Sequence, residues 1–305
     1  MADITIYQAP DDHPSLVQLT RATQVDAAFL VLWLHGKSEK TKRAYNADML
    51  RFYRFVGKPL REVTLADLQA YNDSLITPVL RDTSRARALA TVKSALSFGV
   101  KSGYLPVNVG LMVKLPKLED KLAERIMSEA SVARLLALET NTRNHAILAL
   151  LYRAGLRCAE LCSLTWCNLQ ERDQAGQISV YGKGGKTRYV LIDMDTLQEV
   201  LRLQRPGAGL DDFVFQSRQT RSRSHKADRR LDESSVFRIV QAAAARAGIA
   251  GCSPYWMRHA HATHSLENGA PITLVQSTLG HASMETTAKY THVRPNASSG
   301  QYLKV

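Results

Sequence analysis

Five side chains in the C-terminal half of the sequence are of the types needed to transfer a phosphoryl group: Arg157, Lys183, Arg258, His281 and Tyr290. Arginine presents a planar fork of donors to phosphate oxygens, lysine is a compact proton donor, and tyrosine supplies an oxygen nucleophile. Together they would stabilise the charge that develops on a pentacovalent phosphorane and protonate a leaving oxygen. The sequence places no carboxylate cluster beside them to hold Mg²⁺. The set therefore predicts phosphoryl transfer without a metal or another cofactor.

The elements that must position these side chains form a predicted catalytic domain at 128–295. Most of this segment shows the apolar periodicity of helices, and both arginines lie on or beside such helices. Lys183 instead lies in a glycine-rich turn between two β-prone runs, 177–181 and 187–192, which together predict a hairpin. A polar, arginine-rich segment at 217–230 predicts an exposed basic loop. We therefore expect a mainly helical domain that contains a small sheet.

A separate helical domain is predicted at 23–105, where four amphipathic helices carry basic faces. Residues 1–22 lack periodicity and are interpreted as an arm, while 106–127 contains two prolines and is interpreted as a linker. The last ten residues, 296–305, form a predicted tail. The first helix is expected to bury one apolar face, made of Val25, Ala28, Phe29, Leu32 and Trp33.

Length and composition limit the class of protein. The 305 residues are enough for two domains, and an apolar content of 45% is that of a chain with a packed core. No apolar run reaches the ~18 residues that a membrane span needs, and the N-terminus does not resemble a secretory signal, so we expect a cytoplasmic protein. The formal net charge of +12 favours a polyanionic partner, above all nucleic acid.

The order of the motifs resembles that of the tyrosine recombinase (phage integrase) family. The motifs are GLR-x-x-E-L at Arg157, G-K-G-x-K at Lys183, R-H-x-x-A-T at Arg258, and LGH at His281 followed nine residues later by Tyr290. The likeness spans residues 24–295, because the basic helical unit is similar to the core-binding (SAM-like) domain of that family. The resemblance implies a mainly α fold with a small β-sheet in the catalytic domain, and a site-specific DNA recombinase.

The resemblance also implies a role for each residue of the set. Arg157 and Arg258 would be the two catalytic arginines, and Lys183 would protonate the leaving 5′ oxygen. His281 would donate a hydrogen bond to the scissile phosphate. Tyr290 would attack that phosphate to give a 3′-phosphotyrosyl link and a free 5′-hydroxyl. The tyrosyl ester keeps the energy of the broken bond, so rejoining would need neither ATP nor metal.

Three further positions follow from the same likeness. Glu160, one helical turn after Arg157, matches an acidic position that would orient the active-site cations. The family commonly has a histidine three residues before the second arginine, whereas this chain has Tyr255. A phenol with a pKa of about 10 can donate a hydrogen bond but is a poor base near neutrality. Tyr255 is therefore a candidate site residue whose effect on the rate stays open, and Lys186 is an alternative to Lys183 as the acid.

Other interpretations are weaker. The H-x-H-x-x-H pattern of His259, His261 and His264 could suggest a metal site, but no carboxylate or cysteine completes it at a usual spacing. Within enzymes, the alternative is a type IB topoisomerase-like activity that relaxes DNA without a second site. Outside enzymes, the alternative is a DNA-binding regulator of the same fold that has lost catalysis. The complete set of site residues argues against the second alternative.

The expected partner is double-stranded DNA, held mainly through its phosphates and read by helices in the major groove. The predicted DNA-binding residues are Lys40, Lys42, Arg43, Arg85, Arg87, Arg221 and Arg223. By resemblance, four protomers would assemble on two DNA sites and exchange strands through a Holliday junction. The tail would then dock on a neighbouring protomer, and the protein would be associated with the nucleoid rather than with a membrane.

Overall fold

The computed structural model describes residues 20–77, 80–117, 122–182, 185–217 and 230–290, with side chains from residue 25 onward. The chain divides into two compact units, 1–119 and 120–305. The described part is mostly helical and contains one three-stranded sheet, so the predicted fold class is confirmed. The finer domain boundaries, at 22, 105, 127 and 295, stay predictions.

The described part of the first unit contains four α-helices: α1 (Thr20–Leu34), α2 (Glu39–Val56), α3 (Leu65–Ser74) and α4 (Asp82–Lys101). Local sequence sets several of their ends. The Ser38 side chain caps α2 by accepting a hydrogen bond from the backbone N–H of Thr41, and Thr64 and Asp67 form a reciprocal capping box at the start of α3. The core between the helices is aromatic, and Phe52 and Tyr53 of α2 are fully buried.

The buried face predicted for α1 is partly wrong. Val25 and Leu32 are 57% and 65% exposed, whereas Leu30 and the charged Asp26 are buried. The Asp26 carboxylate accepts hydrogen bonds from the Tyr53 hydroxyl, the Tyr104 hydroxyl and a backbone N–H. Since a buried carboxylate must be hydrogen-bonded, these donors fix the rotation of α1 and turn Val25 and Leu32 outward.

The beginning of the predicted linker is packed rather than extended. A short 3₁₀ helix at Val109–Met112 lies against α4, and Asn108 donates a hydrogen bond to the Ser97 hydroxyl (2.9 Å). Val113 is buried in the core of the first unit. Residues 108–113 therefore belong to the helical unit in structural terms.

Eight helices and three strands make up the described part of the second unit. The helices are α5 (Glu129–Ala137), α6 (Thr142–Arg153), α7 (Cys158–Ser163), α8 (Met194–Leu201), α9 (Glu233–Arg246), α10 (Pro254–Glu267), α11 (Ile272–Leu279) and α12 (Met284–Ala288). The strands are β1 (Leu169–Arg172), β2 (Ala175–Tyr181) and β3 (Thr187–Asp193). They pair antiparallel in the order β1-β2-β3, so the predicted hairpin gains a first strand that had not been predicted.

The second core surrounds α6, whose residues from Ala146 to Leu151 are all fully buried. One face of the sheet joins this core through Ile178 and Val190, which lie opposite each other on β2 and β3. The helix α10 packs against α6 and carries Arg258. None of the helices in the described segments has the length and apolarity that crossing a membrane requires.

Candidate active site

Three arginines donate hydrogen bonds to three successive backbone carbonyl oxygens at the end of α11. The pairs are Arg188 Nε with Thr278 (2.7 Å), Arg258 Nη2 with Leu279 (2.5 Å) and Arg157 Nη2 with Gly280 (3.0 Å). The last carbonyls of a helix have no partner inside the helix and carry the negative end of its dipole. The end of α11 therefore gathers three guanidinium groups from β3, from α10 and from the residue that precedes α7.

The carboxylate of Glu160 on α7 binds two of these arginines, Arg157 and Arg188. It accepts two hydrogen bonds from Arg188 (2.8 and 2.9 Å), one from the Arg157 side chain (2.8 Å) and one from the Arg157 backbone N–H (2.7 Å). Burial would raise the pKa of Glu160, but the hydrogen bonds and charges of Arg188 and Arg157 outweigh it and lower the pKa to about 2. The carboxylate thus stays ionised and fixes both guanidinium groups.

Two glycines allow the arginines to approach the backbone. Gly280 ends α11 with φ +63°, and a Cβ there would lie 3.1 Å from Cδ of Arg188. Gly155 has φ +59°, and a Cβ there would lie 2.8 Å from a methyl carbon of Leu279. Its carbonyl oxygen accepts a second hydrogen bond from Arg258. A side chain at either position would be strained and would push the site apart.

Arg258 is 2% exposed, whereas Arg157 is open to solvent over 37% of its side chain. Burial, with a smaller contribution from the positive charge of Arg157, lowers the pKa of Arg258 to about 10, so it still carries its charge at neutral pH. Across the described site, three arginines face the carboxylate of Glu160, which leaves an excess of positive charge. The site is therefore suited to bind an anion such as a phosphodiester.

His281 follows Gly280 directly and its Nδ1 lies 2.9 Å from the hydroxyl oxygen of the buried Thr287. Burial, with smaller contributions from the positive charges of Arg258, Arg157 and Arg188, lowers the pKa of His281 to about 4. The imidazole is consequently neutral at pH 7. A neutral ring whose Nδ1 accepts from Thr287 would present an Nε2–H donor to an anion.

Tyr290 is 6% exposed and lies beside His259 of α10 and His281, which follows the end of α11. Its hydroxyl oxygen is 2.7 Å from Nδ1 of His259, which is itself 6% exposed. Burial raises the pKa of Tyr290 to about 12, and Tyr255 contributes in the same direction while Arg258 opposes it. The phenol is therefore protonated at neutral pH, and its conversion to a nucleophile requires a group that takes the proton.

Tyr255, predicted at the site in place of a histidine, lies in the first turn of α10 and is 58% exposed. Its ring stands edge-on to that of His259, with centroids 4.4 Å apart. Tyr255 thus approaches Tyr290 through His259, and its predicted effect on the rate stays a prediction.

Lys183, the predicted acid, lies outside the described residues. On either side of it, the backbone N–H of Gly182 donates a hydrogen bond to the carbonyl oxygen of Lys186 (2.8 Å). Lys186, the alternative acid, is exposed. The hairpin brings β3, and with it Arg188, to the end of α11.

The predicted DNA-binding residues of the first unit lie on α2 and α4 and are exposed or half-buried. Lys42 is paired with Glu39 (2.8 Å), and Arg87 is paired with the buried Asp48 (3.0 Å). Arg85 donates a long hydrogen bond to Asn72 (3.4 Å), while Lys40 and Arg43 are exposed. Arg221 and Arg223 lie outside the described residues.

The three histidines of the H-x-H-x-x-H pattern have different hydrogen-bond partners. His259 contacts Tyr290, whereas His261 Nδ1 is 2.7 Å from the carbonyl oxygen of Tyr152 and His264 Nε2 is 2.9 Å from that of Met127. In the segments with described coordinates, no group of three or more histidine, cysteine, aspartate or glutamate side chains is arranged to hold a metal ion.

Two residues of the site were not predicted from the sequence. An arginine on a strand next to a turn is usually at the surface, but Arg188 is two residues from the buried Val190 and therefore lies on the same face of β3. The sequence placed His259 in the R-H motif and in a possible metal-binding pattern, but assigned it no role at the site. Its position one residue after Arg258 was the available signal.

Comparisons with known proteins identify the family of the chain. The family model described as the phage integrase family matches residues 118–297, and that of the phage integrase N-terminal SAM-like domain matches residues 28–103. The chain is 33% identical to the tyrosine recombinase XerD of Shewanella oneidensis over 286 residues, which cover 88% of this chain and 91% of that protein. It is 31% identical to the tyrosine recombinase XerC of Corynebacterium efficiens over 291 residues, which cover 92% and 90%.

Solved structures share the fold. The XerH site-specific recombinase bound to palindromic difH substrate in a post-cleavage complex matches with a TM-score of 0.68 at 16% identity, covering 94% of this chain and 84% of that one. A lambda integrase dimer bound to a COC′ core site matches with a TM-score of 0.69 at 16% identity, covering 95% and 84%.

Proposed function

This chain belongs to the phage integrase family and is a tyrosine-type site-specific recombinase, and from that premise we propose that Tyr290 is the residue that cuts DNA. The observation that carries the proposal is a buried tyrosine that stacks on His281, the residue that directly follows the arginine cluster at the end of α11. A phosphodiester bound by those arginines would meet the nucleophile that its cleavage needs.

In the proposed first step, the Tyr290 oxygen attacks the phosphorus and the 5′ oxygen leaves. Arg157 and Arg258 stabilise the charge on the non-bridging oxygens of the transition state, and His281 donates a further hydrogen bond from its neutral ring. Lys183 protonates the 5′ oxygen. Glu160 and Arg188 do not touch the substrate but hold Arg157 in place.

The product of this step is a 3′-phosphotyrosyl ester and a free 5′-hydroxyl. Because the ester retains the energy of the broken phosphodiester, a 5′-hydroxyl from another strand can reverse the step and rejoin the DNA. The reaction therefore requires no nucleotide cofactor, and recombination is the exchange of partners between two such steps.

The substrate in this proposal is double-stranded DNA, contacted by the basic residues of α2 and α4 and by the segment 217–230. The net charge of +12 supports that partner, since each phosphate contact releases counterions. The likeness to recombinases solved on DNA supports it as well. We further propose that four protomers act together on two sites, in the cytoplasm and in association with the nucleoid.

Covalent trapping tests the function. A nicked suicide duplex carries a site recovered by binding selection, and it is incubated with the full-length protein in EDTA. We expect a denaturant-resistant adduct linked to a 3′ end, and no adduct from Tyr290→Phe, which should bind the same DNA equally well. If the wild type binds its site without forming the adduct, the chain is a regulator and not a recombinase. Relaxation of a supercoiled plasmid without exchange between sites would instead indicate the topoisomerase-like activity.

A further inference from the structure

His259 has no role in the steps above, although it is the residue whose ring nitrogen lies 2.7 Å from the Tyr290 hydroxyl. We propose that His259 is a further catalytic residue, which takes the proton from Tyr290 as its oxygen attacks the phosphorus. The proposal rests on the proposed function, because it concerns the same nucleophile. It would explain how Tyr290 loses its proton in a chain that has a tyrosine instead of a histidine at position 255.

The geometry favours direct proton transfer. Both side chains are 6% exposed, so the hydrogen bond between them is shielded from water, where it is stronger and better fixed. The rings are 5.5 Å apart between centroids and inclined by 47°. His259 follows Arg258 on α10, and Arg258 is tied to two backbone carbonyl oxygens. The same helix turn therefore positions the phosphate-binding arginine and the histidine that contacts the nucleophile.

The other candidates for this task are less suitable. Tyr255 is a largely exposed phenol, and a phenol binds a proton on its oxygen only weakly near neutral pH. His281 stacks on the Tyr290 ring with centroids 6.3 Å apart, but its Nδ1 is already engaged by Thr287. Its lowered pKa of about 4 also makes it a weak base. His259 is thus the base in the described site that is in hydrogen-bond contact with the hydroxyl.

The step balances in atoms and charge. The bond between the Tyr290 oxygen and phosphorus forms, the bond between phosphorus and the 5′ oxygen breaks, and the phenolic proton moves to Nδ1 of His259. The 5′ oxygen receives its proton from the separate acid, assigned to Lys183. In the rejoining step the proton on His259 returns to the Tyr290 oxygen as it leaves the phosphorus.

The test uses variants that separate hydrogen bonding from proton transfer. In His259→Asn, the side-chain oxygen can accept a hydrogen bond near the place of Nδ1 but cannot take up a proton. We expect the rate of adduct formation at pH 7 to fall about 100-fold or more, in the range typical of a lost general base. His259→Gln should fall similarly, and His35→Asn, at an exposed histidine of the first unit, is the control that should stay within about threefold. His259→Asn at the wild-type rate would overturn the proposal.

A modified substrate shows on which side of the reaction His259 acts. When sulfur replaces the bridging 5′ oxygen, the leaving group needs no proton, and the rate reports on the nucleophile alone. We expect the defect of His259→Asn to persist on this substrate, whereas that of Lys183→Ala should largely disappear. A defect of His259→Asn that also disappeared would assign His259 to the leaving group and refute the proposal.

Rescue and pH provide readouts that a purely structural role would not change. The rings of Tyr255 on α10 and Tyr290 after α12 lie against that of His259, His281 lies beyond Tyr290, and the charged Arg258 precedes His259 in the chain. Without the base, the rate should rise about tenfold per pH unit from pH 7 to 9 as free phenolate forms.

The double variant Tyr255→His/His259→Asn should regain part of the lost rate. Melting temperatures and DNA affinities identify any variant that is misfolded. If the wild type forms no adduct, the proposed function fails; if it does and His259→Asn is unimpaired, this inference alone fails.

Discussion

At the scale of single residues, the site depends on one buried carboxylate. Glu160 neutralises part of the charge of the arginine cluster and orients Arg157 and Arg188 through four hydrogen bonds. Without it, the guanidinium groups would repel one another and lose the fixed directions that a phosphate requires. In the proposed reaction, the site is therefore preorganised by a residue that binds the arginines rather than the phosphate.

Glu160→Gln tests this role through stability. The pKa of Glu160 is lowered to about 2 in the folded chain from 4.5, so the carboxylate stabilises the fold fully above pH 4.5, and this contribution is lost as the pH falls towards 2. A shift of this size corresponds to about 3 kcal/mol. We expect the variant to lose about that free energy of unfolding at pH 7 in urea titrations, and the difference from wild type to shrink at pH 3.5.

The control for this prediction is Glu171→Gln, at an exposed position of β1. It should change the free energy of unfolding by less than about 0.5 kcal/mol at either pH. A Glu160→Gln deficit that is equal at pH 7 and pH 3.5 would mean that the charge of Glu160 does not contribute to stability.

At the scale of elements, the end of α11 organises the site, because its carbonyl groups bind all three arginines. The helix can end in this way since Gly280 adopts a left-handed conformation that leaves the carbonyls accessible. Arg188 reaches Thr278 across the position that a side chain at 280 would occupy. The local shape of one helix end is thereby coupled to the chemistry of the site.

Gly280→Ala and Gly57→Ala form a matched pair for this coupling. Both glycines end a helix with nearly equal φ, +63° and +65°, but a Cβ at 57 meets no atom within 4 Å. Each variant should lose about 1–2 kcal/mol of unfolding free energy from backbone strain. Only Gly280→Ala should also displace Arg188, and we expect it to slow adduct formation about 10- to 100-fold. Equal cleavage rates for the two variants would show that Arg188 adjusts without cost.

The elements also show what the sequence could predict and what it could not. The caps at Ser38 and Thr64 and the hairpin around 182–186 depend on neighbours within a few residues, and such signals are readable in a linear chain. The rotation of α1 depends on the hydroxyl of Tyr104, 78 residues from Asp26. The contact of His259 with Tyr290 spans 31 residues. Periodicity alone does not contain such long-range partners, whereas the family motif already indicated Arg157, Arg258, His281 and Tyr290.

At the scale of the whole molecule, the basic residues behind the net charge of +12 have two different roles. Some cations serve the fold: Arg87 neutralises Asp48, which is 1% exposed and also accepts a hydrogen bond from Thr91. Others, such as Arg43 on the basic face of α2, are open to solvent. Only cations of the second kind are expected to contribute their full charge to a bound DNA backbone.

Comparison of Arg43→Ala with Arg87→Ala distinguishes cations that bind DNA from cations that stabilise the fold. Arg43→Ala should weaken DNA binding and make the slope of log K against log salt less negative by about 0.9, which is the value for one lost phosphate contact, with unchanged stability. Arg87→Ala should cost about 1–3 kcal/mol of unfolding free energy, because it leaves the buried Asp48 without its cation. Fluorescence anisotropy with labelled duplex between 50 and 200 mM salt, together with urea unfolding, measures both effects. An unchanged slope for Arg43→Ala would exclude Arg43 from the phosphate contacts, and the positive charge that holds the DNA would then have to come from other parts of the chain.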